Sequence, residues 1–179
     1  YEQLTELAGT ADAGSGGVIF TPWLKGERSP VADRTMRAGF HNMSLATTQG
    51  DLIRSVLEGV AYNNQWLHEA VEKFVGGRLD NIRFIGGGAQ SDLWCQIHAD
   101  VMDRTIEQVT DPLYCGLRGA ALSAAMTLGE VRQEELRGLV TVKQTYVPNP
   151  ANRAAYDRLY AEFPGLYSSQ KKFFRRLNR

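Results

Sequence analysis

Three consecutive glycines followed by two polar residues are the part of this sequence best suited to binding chemistry. Gly86, Gly87 and Gly88 can bring the backbone close to a ligand, because a glycine has no side chain to block the approach. Ser91 and Asp92 follow, and either can cap a helix that begins there. The unpaired amides at a helix start favour an anionic or acceptor-rich ligand, so the pattern indicates a nucleotide-binding turn.

The same pattern is also typical of a tight strand-to-helix connection that binds nothing. It does not match G-x-G-x-x-G, because Ser91 stands where the third glycine would fall. It also has no Lys-Ser or Lys-Thr pair, so it is not a Walker loop. The glycines alone therefore leave both interpretations open.

Apolar residues on both sides of the glycines predict the elements that position them. Residues 82–85 suit a buried strand, residues 91–102 have the spacing of a helix, and residues 105–109 alternate as a strand would. A turn at the carboxyl end of a strand is where α/β sheets place their ligands.

The rest of the chain predicts an α/β layer structure. Strands are expected at residues 17–20 and 37–40, a long helix over 52–74 that ends at Gly76-Gly77, and a small-residue helix over 116–125. Two helices are expected in the tail, one carrying Tyr156 and Phe163 and the other Tyr167 and Phe174.

Polar residues on the long helix have less specific interpretations. Asn64 is expected to be a hydrogen-bonded core amide, and Glu58 and His68 are expected to be surface groups. The charged loop 21–30 contains Trp23, which indicates either a docking surface or a tucked connection.

Composition limits the classes of function. The 179 residues, 43% of them hydrophobic, can bury one sizeable core, and equal numbers of basic and acidic residues, 20 each, give no bulk argument for nucleic acid or a membrane. Cys95 and Cys115 lack a metal-binding spacing and are interpreted as reduced thiols of a cytoplasmic protein. The first residues are typical of a helix, and there is no start methionine. Both features suggest that the chain begins inside something larger.

Several segments occur together in one known family. They are residues 16–30, which end in Gly-Glu-Arg-Ser-Pro, then 37–40, 56–62, 85–101 and 116–121. In this order and spacing they resemble the carboxyl-terminal domain of the FGGY carbohydrate kinases, closest to the xylulokinase branch. In this resemblance Gly119 and Ala120 belong to a helix that lines the interdomain hinge.

The resemblance implies the distal part of the second domain of an actin-like, ribonuclease H-like ATPase fold, with a C-terminal helical tail. Two such domains close around ATP and a sugar in the family. The nucleotide-binding core is expected over about residues 15–130 and the helical tail over about residues 145–179.

The resemblance also implies part of an ATP-dependent sugar kinase that phosphorylates a sugar hydroxyl, with a pentulose such as xylulose as the expected acceptor. Gly87, Gly88 and Ala89 would bring backbone against the nucleotide, while Ser91 and Asp92 would reach the base or ribose. The catalytic base, the acidic Mg²⁺ ligand and the phosphate loops lie outside this sequence in the family. No residue here is therefore assigned as catalytic or metal-binding, and the chain alone is predicted to be inactive.

The expected ligands are ATP with Mg²⁺ and a sugar, and the expected partner is the missing N-terminal half of the kinase. Neither nucleic acid nor a membrane is expected. The sequence does not fix the oligomeric state, and a homodimer is among the partners considered. Two rival hypotheses remain: a non-catalytic actin-like nucleotide-binding module, and a structural domain in which the glycine turn is only a connection.

Overall fold

The computed structural model describes residues 2–178. The helices and strands, in chain order, are α1 (Glu2–Gly9), β1 (Ile19–Thr21), β2 (Gly39–His41), α2 (Gln49–Val75), β3 (Asn81–Phe84), α3 (Asp92–Met102), β4 (Thr105–Val109), α4 (Cys115–Thr127), β5 (Val142–Tyr146) and α5 (Arg153–Leu177). Short 3₁₀ turns join several of them, including Gly87–Gln90 and Pro112–Tyr114.

The strands form two small sheets. β1 and β2 pair antiparallel, while β4 lies between β3, to which it is parallel, and β5, to which it is antiparallel. Because β3 and β4 are parallel, the two turns that follow them emerge at the same edge of the sheet. The predicted alternation of strands and helices around the glycine turn is confirmed.

The long helix α2 has clear signals at both ends. Thr48 and Asp51 form a capping box at its start, and Gly76 ends it in the left-handed conformation, with φ of 73°. In the middle of the helix, a side chain at Gly59 would overlap with the backbone carbonyl of Phe20. Glycine at this position therefore allows β1 to lie directly on α2.

The main core is aromatic and lies between α2, α5 and the loop after β1. Trp23 is fully buried, its indole N–H donates to Asn63 Oδ1 at 3.0 Å, and its ring lies 5.6 Å from that of Phe163. The loop 21–30 is therefore a tucked connection at Trp23. A second apolar cluster lies between α3 and the larger sheet and includes Cys95, Ile106 and Tyr146.

The prediction of two tail helices was wrong, because α5 runs without interruption from Arg153 to Leu177 with Pro164 inside it. A proline lacks the N–H that would bond to the carbonyl four residues earlier, which normally favours a break. Phe163 and Tyr167, on either side of Pro164, both pack on Trp66. This shared packing holds the two halves in one helix.

The prediction that Glu58 and His68 are surface groups was also wrong. Glu58 is fully buried, and its carboxylate accepts hydrogen bonds from Arg54 Nε at 2.7 Å, Ser15 Oγ at 2.7 Å and the Tyr156 hydroxyl at 2.9 Å. His68 is largely covered beside Glu72. The Glu58 carboxylate thus joins three distant parts of the chain, where each partner offsets its desolvation.

Candidate nucleotide-binding site

The glycine turn, residues 86–90, begins where β3 ends. Gly86 has φ of 86° and ψ of −171°, a conformation that residues with a side chain rarely adopt. Its N–H donates to the carbonyl of Pro112 at 2.8 Å, so the turn is bonded to the loop that follows β4. The two turns at this sheet edge therefore form one surface.

The three glycine positions of the turn differ in whether the protein itself requires glycine there. Gly86 needs its positive φ, and a Cβ at Gly88 would lie 2.7 Å from the ring of Trp94. A Cβ at Gly87 would meet no atom of the protein within 4 Å. The protein's own packing does not require glycine at Gly87, so this position offers bare backbone to an approaching molecule.

Ser91, one of the two candidate caps in the sequence, caps helix α3. Its Oγ accepts a hydrogen bond from the backbone N–H of Trp94 at 3.2 Å. Within residues 2–178, no acceptor takes the proton of the Ser91 hydroxyl, which leaves it able to donate to a ligand at the helix start.

Ala89 and Asp92 are held from beneath by side chains of the sheet. Gln108 Nε2 donates to the Ala89 carbonyl at 2.7 Å and to Asp92 Oδ1 at 3.2 Å, and the Tyr146 hydroxyl donates to the same oxygen at 2.8 Å. These hydrogen bonds, that from Tyr146 most of all, keep the pKa of Asp92 below its ordinary value. Asp92 is therefore ionised at neutral pH, and its side chain is still 64% exposed.

Sequence reasoning had missed the contribution of Gln108 and Tyr146. The available signal was a polar residue on the inward face of β4, where Ile106 and Gln108 are both 1% exposed. A buried amide needs hydrogen-bond partners, so such a position points to a neighbouring backbone or polar group.

Helix α4 borders this surface and has an open face. None of its residues is buried, and a side chain at Gly116 or Gly119 would meet nothing within 4 Å. Leu117 is 71% exposed. Arg118 donates from Nη2 to the carbonyl of Thr110 at 2.9 Å and so ties α4 to the end of β4.

A separate cavity of about 210 Å³ lies between α2 and the sheet and is lined mainly by apolar side chains, with Asn64 and His98 among them. Asn64 Nδ2 donates to His98 Nε2 at 3.0 Å, which confirms Asn64 as a hydrogen-bonded amide. Burial lowers the pKa of His98 to about 4, so the ring is neutral at neutral pH.

Among residues 2–178, no cluster of three or more His, Cys, Asp or Glu side chains could hold a metal ion. In the same part of the chain, no helix combines the length and the apolar character needed to cross a membrane.

Comparison with known proteins decides the family. Residues 1–128 match the model of the FGGY family of carbohydrate kinases, C-terminal domain. The chain belongs to this family. The resemblance found in the sequence is thereby confirmed.

Individual relatives agree with this membership. A xylulose kinase of Staphylococcus epidermidis is 31% identical over 176 residues, which cover 96% of this chain and 35% of the relative. A ribulokinase of Bacillus licheniformis is 29% identical over 94% of this chain and 32% of its own length. The chain thus spans about a third of the length of these relatives.

Solved structures show the same fold. A ligand-bound xylulose kinase from Lactobacillus acidophilus superposes with a TM-score of 0.88 at 25% identity, over 98% of this chain and 36% of that protein. A glycerol kinase from Plasmodium falciparum with ADP gives a TM-score of 0.73 at 19% identity over 90% of this chain and 32% of that one. The expected actin-like ATPase fold, with an α/β core and a C-terminal helix, is confirmed.

Proposed function

We propose that this chain supplies the adenosine side of the ATP site in a sugar kinase that transfers the γ-phosphate of ATP to a sugar hydroxyl. One observation carries the proposal. Gly87 has no side chain, although the packing of the protein leaves room for one. Membership of a carbohydrate kinase family supports the reaction, and relatives named xylulose kinase and ribulokinase favour a pentulose as the acceptor.

The residues of the turn have distinct proposed roles. The backbone of Gly87 and Gly88 lies along the nucleoside in this proposal, because glycine permits that approach. Ala89 is fully buried and its carbonyl accepts from Gln108, so its proposed role is to shape the turn beneath the nucleotide. The Ser91 hydroxyl donates to the base or ribose, and the ionised Asp92 carboxylate accepts from a hydroxyl or amino group. The free amides at the start of α3 add further donors.

The reacting end of ATP belongs to other parts of the protein in this proposal. Phosphoryl transfer needs a base, Mg²⁺ and donors on the phosphates, and the described residues include no acidic cluster for the metal. The Mg²⁺ ligands and the base are therefore assigned to the N-terminal part of the kinase. The nucleotide-binding core is proposed over residues 15–130 with β5 added to it, since Tyr146 lies beneath the turn, and the helical tail is proposed to begin after β5 with α5 (Arg153–Leu177).

The substitution Gly87→Val in the full-length kinase tests this assignment. A side chain there would stand where the nucleoside approaches, so the KM for ATP should rise at least tenfold, roughly the cost of one lost favourable contact, while the KM for the sugar stays unchanged. Gly77→Val is the matched control, since a side chain at Gly77 also meets nothing within 4 Å. Equal loss of both affinities would mean that Gly87 serves folding rather than nucleotide binding.

The isolated chain gives a second test. Because the base and the phosphate loops are assigned elsewhere, the purified chain should phosphorylate no sugar, and turnover above background would contradict the proposal. ATP binding without sugar phosphorylation by the full-length protein would instead favour the non-catalytic nucleotide-binding module.

A further inference from the structure

Gln108 and Tyr146 form a polar pair directly beneath the glycine turn. They come from neighbouring strands, β4 and β5, and both are buried, with exposed fractions of 1% and 6%. The Tyr146 hydroxyl lies 3.3 Å from Gln108 Oε1, so the phenol and the amide also contact each other. The pair therefore acts as one unit under the turn.

The hydrogen bonds of this pair reach two points of the binding surface. Gln108 Nε2 donates to the Ala89 carbonyl, inside the turn, and to Asp92 Oδ1, at the first residue of α3. The Tyr146 hydroxyl donates to the same Asp92 oxygen. Hydrogen bonds to an ionised carboxylate are stronger than those between neutral groups, so this contact fixes the position of Asp92 firmly.

Ordinary core packing does not explain a polar pair at this place. An amide removed from water is costly unless it is hydrogen-bonded, and Ile106, the other buried residue on this face of β4, is apolar. Gln108 instead uses its donor group on the backbone of the turn and on the residue that follows it. The arrangement is that of a support for the turn.

We propose that Gln108 and Tyr146 are positioning residues that hold the glycine turn in its nucleotide-binding shape through Ala89 and Asp92. The effect on nucleotide affinity rests on the proposed function, whereas the effect on the turn itself does not. With this pair in place, the turn is already ordered before a nucleoside binds. The binding free energy is then not reduced by the entropy cost of ordering the turn.

The remaining bonds explain why loss of the support would loosen the turn without unfolding it. Gly86 stays bonded to Pro112, and Ser91 still caps α3. The segment between these two anchors is short, and Gly87 within it has no side chain and open space where a Cβ would be. Motion should therefore be confined to this segment.

Amide hydrogen exchange of the nucleotide-free chain tests the positioning role. Tyr146→Phe keeps the ring and removes the hydroxyl, and Gln108→Met keeps the approximate size and removes the amide. In each variant the amides of Ala89 and Ser91, which are hydrogen-bonded inside the turn, should exchange about tenfold faster, the effect expected from losing a hydrogen bond to a charged group. Amides in α2 and α5 should keep their wild-type exchange rates.

Tyr62→Phe is the matched control for Tyr146→Phe. Tyr62 is also fully buried, but its hydroxyl has no hydrogen-bond partner among the residues that the structure describes. Its removal should leave exchange of the Ala89 and Ser91 amides unchanged. Unchanged exchange of these amides in both Tyr146→Phe and Gln108→Met, or faster exchange spread equally over α2 and α5, would overturn the proposal.

Nucleotide affinity in the full-length kinase separates this proposal from the function on which it rests. Tyr146→Phe should raise the Kd for ATP about tenfold with no change in the KM for the sugar. If the wild type binds ATP and the variant binds it equally well, the positioning role is refuted. If the wild type binds no ATP while exchange in the turn responds as expected, only the proposed function fails.

Discussion

The contact between α2 and α5 buries large aromatic rings around Tyr62 and Phe163, whose centroids lie 5.7 Å apart, whereas α4 has no buried residue at all. The first region also contains a fully buried carboxylate, Glu58, with several donors. The surface around the glycine turn is held by a few polar bonds from beneath and is open above. Stability is thus concentrated away from the face that the proposed function uses.

The glycines of the two regions also differ in whether the protein's own packing requires them. Gly59 lies where β1 touches α2, and the protein itself requires it to be small. Gly87 and Gly119 lie on the open face, where a side chain would meet nothing. A small residue in the first region serves the fold, and a small residue in the second is available to a ligand or to a neighbouring domain.

The largest expected effect is in the aromatic region. Glu58→Ala would leave Arg54 buried without its ion-pair partner and would remove the acceptor for Ser15 and Tyr156. Breaking a buried pair in this way should lower the free energy of unfolding by about 3–5 kcal/mol, measured by chemical denaturation. Glu162→Ala, an exposed glutamate on α5, is the control and should change stability little.

The next effect is a pH dependence where α2 meets α3. The His98 ring lies against the Trp94 carbonyl and Asn64, and burial lowers its pKa to about 4 from an unfolded value near 6.5. Between these pH values the unfolded chain binds a proton that the folded chain does not, so stability should fall as the pH drops from about 6.5 to 4.

This loss should be on the order of 3 kcal/mol in total. Unfolding free energies at both ends of the pH range, with an NMR titration of the His98 ring in the folded chain, measure it. Protonation of the folded ring near pH 6.5 would show that the buried, neutral arrangement is wrong.

The third prediction concerns the contact between β1 and α2. Gly59→Ala would force the new methyl group against the Phe20 backbone, so the free energy of unfolding should fall by about 1–3 kcal/mol, as in other overpacked cores. Thermal or chemical unfolding measures the change. A gain in stability would show that β1 does not lie as close to α2 as described.

A glycine-to-alanine substitution on the open face should raise the free energy of unfolding instead of lowering it. Gly119→Ala places a better helix former inside α4 without a clash, so the 179-residue chain should gain about 0.5–1 kcal/mol. In the full-length kinase this gain should disappear if the helix packs closely on the hinge. A loss of stability in the chain alone would mean that α4 is already packed there.

Much of the fold could be predicted because its signals are local. The end of α2 follows from Gly76 and the start of α3 from Ser91, whereas α2 starts at Gln49, earlier than its apolar pattern from residue 52 indicates, because Thr48 and Asp51 cap it. The glycine turn was recognisable for the same reason. The resemblance to a family then predicted what the turn binds, and this stays a prediction.

The parts that sequence reasoning missed depend on partners far away in the chain. Glu58 is buried because Ser15 and Tyr156 come to it, and the latter is 98 residues distant. Pro164 stays inside one helix because of packing on Trp66. Gln108 supports a turn whose carbonyl is 19 residues earlier, which no local pattern encodes.

The central claim is that the glycine turn binds the adenosine part of ATP. Its most direct test is a titration of the ¹⁵N-labelled 179-residue chain with ADP, followed by the backbone amide resonances. Saturable shifts should centre on Gly87, Gly88, Ala89 and Ser91, with none at Gly59, and adenosine alone should reproduce them. If adenine nucleotides leave the amides of the turn unperturbed while other parts of the chain respond, or nothing responds, the claim is wrong.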